Sequence, residues 1–345
     1  MNISDAPIPL FQSPEFARTS QALGTHVRTH RWTSSMDTHA VWQVQSRRFG
    51  PFGWVDLVSR GPVVRKPQLR LDWLQNWRDW HGGRPLVFNP VDTCARALRG
   101  AGFWPLMTPA SLAILPLHPT QIMRSEMHPK WRNRLRRAEG EDIKVTRYPL
   151  KEKHWLLSAE KAQMKARKYR GISPQFSVAF SELNPDLAQV FEAKCKGEIV
   201  AAIIVLRHGK MATWQIGHST KRGRQVNAMN LLLWRAMEWL QSRGHTHLDL
   251  GIINEEDTPG LARFKLGTGA CRERQSGTWL HCRSLAPIAR RLPLWMAGVE
   301  GGVQCGVQGD TNDDPQEPGQ NHPGTGTKKP PPIQARADSI GFSRG

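Results

Sequence analysis

The stretch that decides the fold is residues 198–270, which read EIVAAIIVLRHGKMATWQIGHSTKRGRQVNAMNLLLWRAMEWLQSRGHTHLDLGIINEEDTPGLARFKLGTGA. Residues 198–206 are a continuous β-branched and apolar run, which predicts a strand that is buried on both faces. A polar turn at residues 208–210 separates it from a second predicted strand over residues 211–217. A basic loop at residues 221–225 is expected to follow the two strands.

An apolar helix and a third strand come next in the same stretch. Asn227 is placed to cap the helix and Gly244 to end it. The nearly all-round apolar surface of this helix is typical of a buried crossover helix. Residues 247–250 supply the strand, and Asp249 falls where a crossover delivers side chains to a site at the carboxyl end of a sheet. An acidic and glycine-rich loop is expected to complete the stretch.

These residues carry a resemblance to a known family. The segment 227–280, with LDLGI at 248–252 and GLARFKLGTGA at 260–270, resembles the second half of the Fem-type peptidoglycan aminoacyltransferases, which belong to the GNAT-like acyltransferase superfamily. The resemblance extends to RGPVV at 60–64 and MHPKWRNRLRRAEG at 127–140. It implies an α/β (α+β) fold of two tandem GNAT-like domains with mixed central sheets, and transfer of an acyl or aminoacyl group onto an amine.

Three segments are predicted along the chain. Residues 1–140 are expected to form an N-terminal GNAT-like domain and residues 141–297 a C-terminal GNAT-like acyltransferase domain. Residues 298–345 are rich in glycine and proline, and such a composition cannot offset the entropy lost on ordering. We therefore expect a disordered tail, and we expect truncation after Met296 to leave stability and activity unchanged.

The first predicted domain alternates strands and helices. The expected elements are a hairpin over residues 40–45 and 53–59, a helix over 69–80, a strand over 86–88, a helix over 93–99, and a strand over 111–117 that closes the domain. Fourteen tryptophans are many for 345 residues. Trp73, Trp77, Trp234 and Trp239 lie at helical core spacing, which favours packing over stacking on sugars or bases.

The overall charge predicts a polyanionic partner. A formal net charge of +19 favours RNA, anionic lipid or a phosphorylated substrate, and nucleic acid is the simplest candidate. The cysteines show no C-x-x-C spacing, which predicts reduced thiols in a cytoplasmic protein without a metal site; they are Cys94, Cys195, Cys271, Cys282 and Cys305. The N-terminus lacks the pattern of a signal peptide, and the longest apolar run is too short to span a bilayer.

Two basic clusters could contact such a partner. The first lies on a helix predicted at about residues 119–139 and comprises Lys130, Arg132, Arg134, Arg136 and Arg137. The second precedes Gly171, encloses Tyr169 and is a candidate site for the phosphates of an acceptor or donor; its basic residues are Lys161, Lys165, Arg167, Lys168 and Arg170. A solvated helix face and an exposed helix end are the structural alternatives, so binding of tRNA or phosphate stays an open interpretation at both places.

The acyl donor is expected to be aminoacyl-tRNA rather than a bound cofactor. Acetyl-CoA enzymes of the superfamily usually carry a Q/R-x-x-G-x-G/A loop, whose backbone N–H groups hold the pyrophosphate. Here Thr220 and Gln225 flank Gly223 in a pattern that does not match. Acyl-CoA or an acyl-carrier protein remains the alternative donor.

Lys265 and Asp249 are the candidate catalytic residues. The resemblance implies that Lys265, in the FK motif, serves the transition state, and a flexible segment at residues 267–269 would let its cation approach a carbonyl. Asp249 is a candidate base or amine-orienting group, with a structural loop cap as the equal alternative. The remaining candidate substrate-binding residues of this domain are Asn227, Arg263 and Phe264.

The sequence therefore predicts a Fem-like acyltransferase that forms an amide on an amine of a cell-wall precursor or a similar acceptor, either a small molecule or lipid-linked. A non-catalytic RNA-binding protein with the same fold is a further alternative. Residues 283–296 mix arginines with apolar side chains, so weak peripheral contact with an anionic membrane is also a candidate property.

Overall fold

The computed structural model describes residues 6–34, 37–50, 53–167, 171–293 and 295. The described chain forms two β-sheets with helices packed against them. The strands are β1 (His26–Ser34), β2 (Asp37–Arg48), β3 (Trp54–Gly61), β4 (Val63–Val64), β5 (Leu86–Pro90), β6 (Trp104–Met107), β7 (Ser111–Pro116), β8 (Ile143–Pro149), β9 (Ala188–Cys195), β10 (Glu198–His208), β11 (Met211–Ser219), β12 (His247–Ile253), β13 (Cys271–Arg274) and β14 (Thr278–His281). The helices are α1 (Pro14–Ala22), α2 (Leu69–His81), α3 (Ala95–Gly100), α4 (Thr120–Glu126), α5 (Pro129–Glu139), α6 (Trp155–Arg167), α7 (Pro174–Leu183), α8 (Lys221–Gln225), α9 (Ala228–Ser242), α10 (Pro259–Leu266) and α11 (Ala286–Ala289). The predicted tail at 298–345 lies outside the described residues.

The two sheets have the same mixed character. The first sheet has the order β1-β2-β3-β5-β14-β6, with β4 paired to β2, and the second has the order β13-β7-β12-β11-β10-β9-β8. Each sheet is antiparallel except for one pair, β3 with β5 in the first and β11 with β12 in the second. The predicted fold class, two tandem α/β domains with mixed sheets, is thereby confirmed.

The sheets exchange strands across the predicted boundary at residue 140. Strand β7 was expected to close the first domain, but it lies in the second sheet between β12 and β13. Its residues Leu112 to Leu115 are all buried and complete the core there. Strand β14 returns from the C-terminal part of the chain and pairs with β5 and β6 of the first sheet. The boundary at residue 140 thus does not separate the two sheets.

Helices cover the sheets according to the apolar side chains they carry. In the second sheet, α5 and α9 pack on one face, and α6 and α7 cover the other, where β9, β10 and α1 also contribute side chains. In the first sheet, α2 provides a core built around buried Trp73 and Trp77. Trp234 of α9 is also buried, so the packing interpretation is correct for these three tryptophans, whereas Trp239 of the same helix is half-buried at the edge of the core.

Two predictions about the basic helical segments were wrong. The expected basic loop at 221–225 is the helix α8, and the Thr220 side chain caps it by accepting a hydrogen bond from the Gly223 N–H at 3.1 Å. The single helix expected at 119–139 is divided into α4 and α5 around His128. The reason is Pro129, because proline disfavours helical backbone at the residue that precedes it.

Candidate active site

The site lies where β11 and β12 separate. Their parallel pairing runs from Met211 and His247 to Thr213 and Asp249. Beyond Asp249, the pairing of β12 with β7 is also irregular until Ile252. Gly251, which lies between Asp249 and Ile252 in the sequence, has φ 80°, a left-handed conformation that suits glycine. Its N–H donates to Asp249 Oδ1 at 2.7 Å. The bulge turns the Ile252 carbonyl toward α10.

Lys265 reaches this bulge from α10, a helix where a loop had been expected. Its Nζ donates to the Ile252 carbonyl oxygen at 2.8 Å, and the residue is only 7% exposed. Burial lowers the pKa of Lys265 to about 8, and the negative charge of Asp249 opposes that shift. A buried ammonium with one protein hydrogen bond has further donors left for a ligand.

The segment after Lys265 is packed rather than flexible, which corrects the sequence-based expectation. Thr268 is fully buried, and its hydroxyl donates to the Lys265 carbonyl oxygen at 2.7 Å. A side chain at Gly267 would collide with Trp131, and one at Gly269 would press on the Glu126 backbone. Lys265 is therefore positioned by a rigid turn.

Asp249 is held by a residue of the first sheet. Asp249 is 2% exposed and forms an ion pair with Arg60, which lies 189 residues earlier in the sequence. Arg60 has φ 55°, which is unusual for a residue with a side chain and marks a position that its surroundings must stabilise. This ion pair joins the two sheets at the site. The catalytic or orienting role of Asp249 stays a prediction, while the ion pair gives it a structural role.

A neutral histidine, His208, lies near Asp249. His208 Nδ1 is 3.0 Å from the Ile8 carbonyl oxygen, which can only accept, so this nitrogen carries the proton. Its Nε2 then accepts from the Thr213 hydroxyl at 2.8 Å. Burial lowers the pKa of His208 to about 3, so the imidazole stays uncharged at neutral pH. It supports β11 beside Asp249 without adding charge to the site.

Glu273 is the site carboxylate that sequence reasoning missed. It lies on β13, an exposed edge strand of the second sheet, within electrostatic range of Arg60 and Asp249. Partial loss of water raises the pKa of Glu273; Arg60 opposes the rise and Asp249 adds to it. Unlike Asp249, it forms none of the ion pairs found among the described residues. No local motif marks it, because its proximity to Arg60 arises from the pairing of β13 with β7.

The basic helix α5 is docked directly against α10. The Trp131 ring lies 5.8 Å from that of Phe264, and the His128 N–H donates to the Gly267 carbonyl oxygen at 3.0 Å. Phe264 also lies 6.0 Å from Trp214 of β11. The predicted phosphate-binding side chains therefore start beside Lys265. They are half-buried Arg132 and exposed Lys130, Arg134, Arg136 and Arg137.

The other predicted site residues are scattered. Asn227 precedes α9 at φ 54°, and its side chain makes no capping bond, contrary to expectation. Arg263 is exposed on α10. Arg167 ends α6, and its side chain, like all of residues 168–170, lies outside the described part of the chain. The side chains of Arg167 to Arg170 in the second predicted cluster therefore lie outside the described structure, and their role in the site stays a prediction.

The acidic loop after β12 is a solvated turn. Asn254 Oδ1 accepts the N–H groups of Glu256 and Asp257 at 3.1 and 2.8 Å. Glu255 forms an exposed ion pair with Arg272 at 2.7 Å. These contacts account for the loop without a bound ammonium group.

A family comparison agrees with this geometry. Residues 129–266, from the start of α5 to the end of α10, match the family model of the acetyltransferase (GNAT) domain. The chain contains a GNAT acyltransferase domain. Lys265, Asp249 and the separated strands all lie within the GNAT domain, whereas Arg60 and Glu273 lie outside the matched segment. No curated protein matches the chain in sequence.

Solved structures extend the comparison beyond the GNAT domain. The crystal structure of FemX matches with a TM-score of 0.66 at 13% identity, over 84% of this chain and 96% of that one. The C-terminal domain of a protein named as a lysylphosphatidylglycerol synthetase from Agrobacterium fabrum matches with a TM-score of 0.50 at 14% identity, over 81% and 90%. At these identities the likeness establishes the fold. The Fem-like tandem GNAT fold expected from the sequence is confirmed.

Three further observations concern the described residues alone. No helix among them combines the length and the apolar character needed to cross a membrane. Within the same ranges, no group of three or more histidine, cysteine, aspartate or glutamate side chains is arranged to hold a metal ion. The described cysteines are free thiols, and Cys305 lies outside the described residues.

Proposed function

We propose that the protein transfers an aminoacyl group from aminoacyl-tRNA to an amine of a cell-wall precursor or a similar acceptor. The observation that carries the proposal is the buried Lys265 ammonium at the β12 bulge, with the basic helix α5 docked beside it. The first feature suits acyl transfer, and the second suits a donor with many phosphates.

The chemistry uses charges that the fold holds in place. The acceptor amine attacks the ester carbonyl, a C–N bond forms, and negative charge develops on the carbonyl oxygen. Lys265 donates a hydrogen bond to that oxygen in a poorly hydrated site, where a fixed cation is most effective. When the C–O bond breaks, the proton lost by the amine must reach the leaving hydroxyl. Glu273, whose pKa is raised, is suited to relay it.

The backbone at α8 supports RNA over coenzyme A as the donor. Gly223 stands where the superfamily's pyrophosphate loop would approach its ligand. Its N–H is already bonded to Thr220 Oγ1, and even a Cβ at this position would lie 2.2 Å from the Val200 carbonyl oxygen. The glycine therefore serves close packing of α8 on β10, and its N–H is not free for a phosphate.

The acceptor class is supported by resemblance. The Fem-type motifs imply a cell-wall precursor, and the name of the Agrobacterium fabrum protein refers to an aminoacylated lipid. A lipid-linked amine is therefore included among the acceptors, along with weak peripheral membrane contact through the C-terminal segment, where Ile288 is exposed.

The donor is tested by product analysis and by salt dependence. The purified protein is incubated with mixed acceptor amines and either aminoacyl-tRNA or acyl-CoA, and mass spectrometry identifies any new amide. In parallel, tRNA binding is titrated at several salt concentrations for the parent and for Arg134→Gln/Arg137→Gln. Each phosphate contact contributes a slope of about −0.7 to −0.9 in log K against log salt, so the double variant should flatten the slope by about two units.

Arg31→Gln, an exposed arginine on edge strand β1 of the first sheet, is the matched control and should leave the slope unchanged. Amide formed only from acyl-CoA, with no tRNA binding at low salt, would promote the coenzyme A alternative. Tight tRNA binding with no amide product from either donor would favour the non-catalytic RNA-binding alternative.

A further inference from the structure

Three arginine side chains surround one tryptophan at the end of α9. The guanidinium carbons of Arg147, Arg207 and Arg243 lie 4.5, 5.0 and 5.7 Å from the centre of the Trp239 ring. The arginines come from β8, from β10 and from the residue that follows α9, so the tertiary fold assembles them. We call these four residues the Trp239 cluster.

The cluster is held together by neutral partners. Arg207 Nε donates to His245 Nε2 at 2.9 Å, and Arg147 Nη1 donates to Gln189 Oε1 at 2.5 Å. The indole face contributes about 0.5–1 kcal/mol for each cation above it. None of the ion pairs found in the described part of the chain includes an arginine of the cluster.

Positive charge therefore accumulates there. Burial, together with the charges of Arg243 and Arg147, lowers the pKa of Arg207, and Asp186 is the acid that opposes this. Like charges brought together without matching acids destabilise the folded chain. An arrangement of this kind is favourable when an anion with several charges binds to it, because stacked guanidinium groups present preorganised donors.

One further arginine contacts α9 from the α5 side. Arg124, on the helix before α5, lies 5.5 Å from the Trp234 ring and pairs with Glu139. Trp234 is five residues from Trp239, which is about 7.5 Å along the helix axis and about 140° around it, so Arg124 and the cluster lie at different places on α9. One small phosphate ligand could not reach both places, whereas a nucleic acid backbone could.

The cluster is also distant from the reacting centre. Arg207 pairs with Ala212, which pairs with Leu248, four residues before Ile252. With about 3.3 Å per residue along a strand and about 4.8 Å between strands, Arg207 and Ile252 are roughly 16 Å apart across the sheet. A group bound at the cluster is thus not the reacting ester itself but another part of a large ligand.

We propose that the Trp239 cluster binds backbone phosphates of RNA and forms a second contact with the tRNA donor, remote from Lys265. The inference rests on the proposed function, because it extends the donor surface from α5. A membrane is the less suitable partner. Interfacial binding needs exposed apolar side chains beside the cations, and none of the large exposed apolar residues found in the described ranges lies on α9 or β8.

The test compares substitutions on and beside the cluster. Dissociation constants of uncharged tRNA are measured by fluorescence anisotropy at several salt concentrations for the parent, Arg243→Gln and Arg147→Gln/Arg243→Gln. Arg207 is kept because it positions His245. We expect the slope of log K against log salt to flatten by about one unit in the single variant and about two in the double variant. Binding at low salt should weaken at least tenfold in the double variant.

Arg235→Gln is the matched control, since Arg235 is an exposed arginine of the same helix that pairs with Glu238 at 2.9 Å. It should change neither the slope nor the affinity. Thermal melting of each variant verifies folding, and the exposed Arg243 position keeps the test usable if the double variant is unstable.

The outcomes separate this inference from the proposed function. If the parent binds tRNA and Arg134→Gln/Arg137→Gln weakens binding while the cluster variants do not, the cluster inference alone is wrong. If the parent does not bind tRNA, the proposed donor is wrong as well. Loss of binding to phosphatidylglycerol vesicles in the cluster variants, with tRNA binding unchanged, would make the cluster a membrane contact and overturn the inference.

Discussion

Each of the two sheets contains one parallel strand pair with a buried carboxylate, but the strands separate directly beyond the carboxylate in only one of them. In the first sheet, Asp56 on β3 is completely buried, and the pairing of β3 with β5 continues from Asp56 to Gly61. In the second sheet, the pairing of β11 with β12 stops at Asp249 and the strands separate. The paired strands therefore stay together in one domain and separate in the other, while a cavity of about 520 Å³ in the first domain lies beside Arg28 and Ser46, which contact Asp56.

The side chains around each carboxylate explain the difference. Burial alone would raise the pKa of Asp56, but His81, which lies 3.5 Å away, the hydrogen bond from Ser46 and the charge of Arg28 lower it below its ordinary value. The aromatic side chains of α2 pack in the core of the same sheet. Around Asp249, Arg60 supplies the counter-charge from the other domain, and a lysine occupies the gap. The Lys265 ammonium lies where the strands separate, whereas Asp56 is faced by arginines, Arg28 and Arg84.

Removing the Lys265 ammonium should have the largest effect on activity, because the second sheet would then lack a lysine at its parallel strand pair, like the first sheet. Lys265→Ala should lower kcat/KM by about 100- to 1000-fold, since a preorganised donor to the developing oxyanion contributes on the order of 3 kcal/mol. Steady-state kinetics, with whichever donor the product analysis identifies, measures this. Lys66→Ala, on the exposed surface of the first domain, is the control and should be silent. Activity of Lys265→Ala within twofold of the parent would remove Lys265 from the mechanism.

The two carboxylates should also differ in how much stability their arginines contribute. The Arg60 side chain is 13% exposed, so Arg60→Gln leaves Asp249 as a buried charge without its counter-ion, and we expect the free energy of unfolding to fall by about 3 kcal/mol. Arg28 is 44% exposed, and Asp56 retains Ser46 and His81, so Arg28→Gln should cost less than about 1 kcal/mol. Urea denaturation of the variants measures both values. Equal losses would show that the interdomain ion pair has no special role.

Above neutral pH, the pH dependence of the rate should report the lysine. If the Lys265 cation is needed, kcat/KM should fall as pH rises through about 8, where the buried ammonium loses its proton. The folded protein releases this proton at lower pH than the unfolded chain, so the free energy of unfolding should rise above pH 8 relative to Lys265→Met. Arg60→Gln, which leaves the Asp249 charge uncompensated, should move the kinetic pKa upward. A rate that rises through pH 8 would instead indicate that Lys265 acts as a neutral base.

Local sequence patterns determined most elements of the C-terminal part of the chain. The apolar run over β10, the turn at Gly209 and the apolar helix α9 are specified by side-chain periodicity and by turn residues, which act over a few positions. Errors occurred where a short-range signal was overlooked. The split between α4 and α5 is marked by Pro129 and the start of α8 by Thr220, and both signals are present in the sequence.

The edge strand β1 was missed for a different reason. Its only apolar side chains are Val27 and Trp32, and histidine, arginine and threonine occupy most other positions, as an edge strand that is largely exposed to solvent permits. An apolar-run criterion does not detect such a strand. Antiparallel pairing with β2 defines it as a strand.

The FK motif predicted Lys265 and the position at a strand end predicted Asp249 as site residues, but the arrangement of charges around them is a tertiary product. Arg60 belongs to a recognised motif, yet its partner lies 189 residues away. Glu273 belongs to no motif and reaches the site because β13 pairs with β7. Strand exchange by β7 and β14 likewise depends on which edges remain unpaired once the sheets form. The sequence by itself determined the local elements, the basic character and the lysine, because these depend on neighbouring residues. Only the tertiary structure decided which distant charges meet at Asp249 and around Trp239, because long-range pairing follows from burying the two sheets together and not from local spacing.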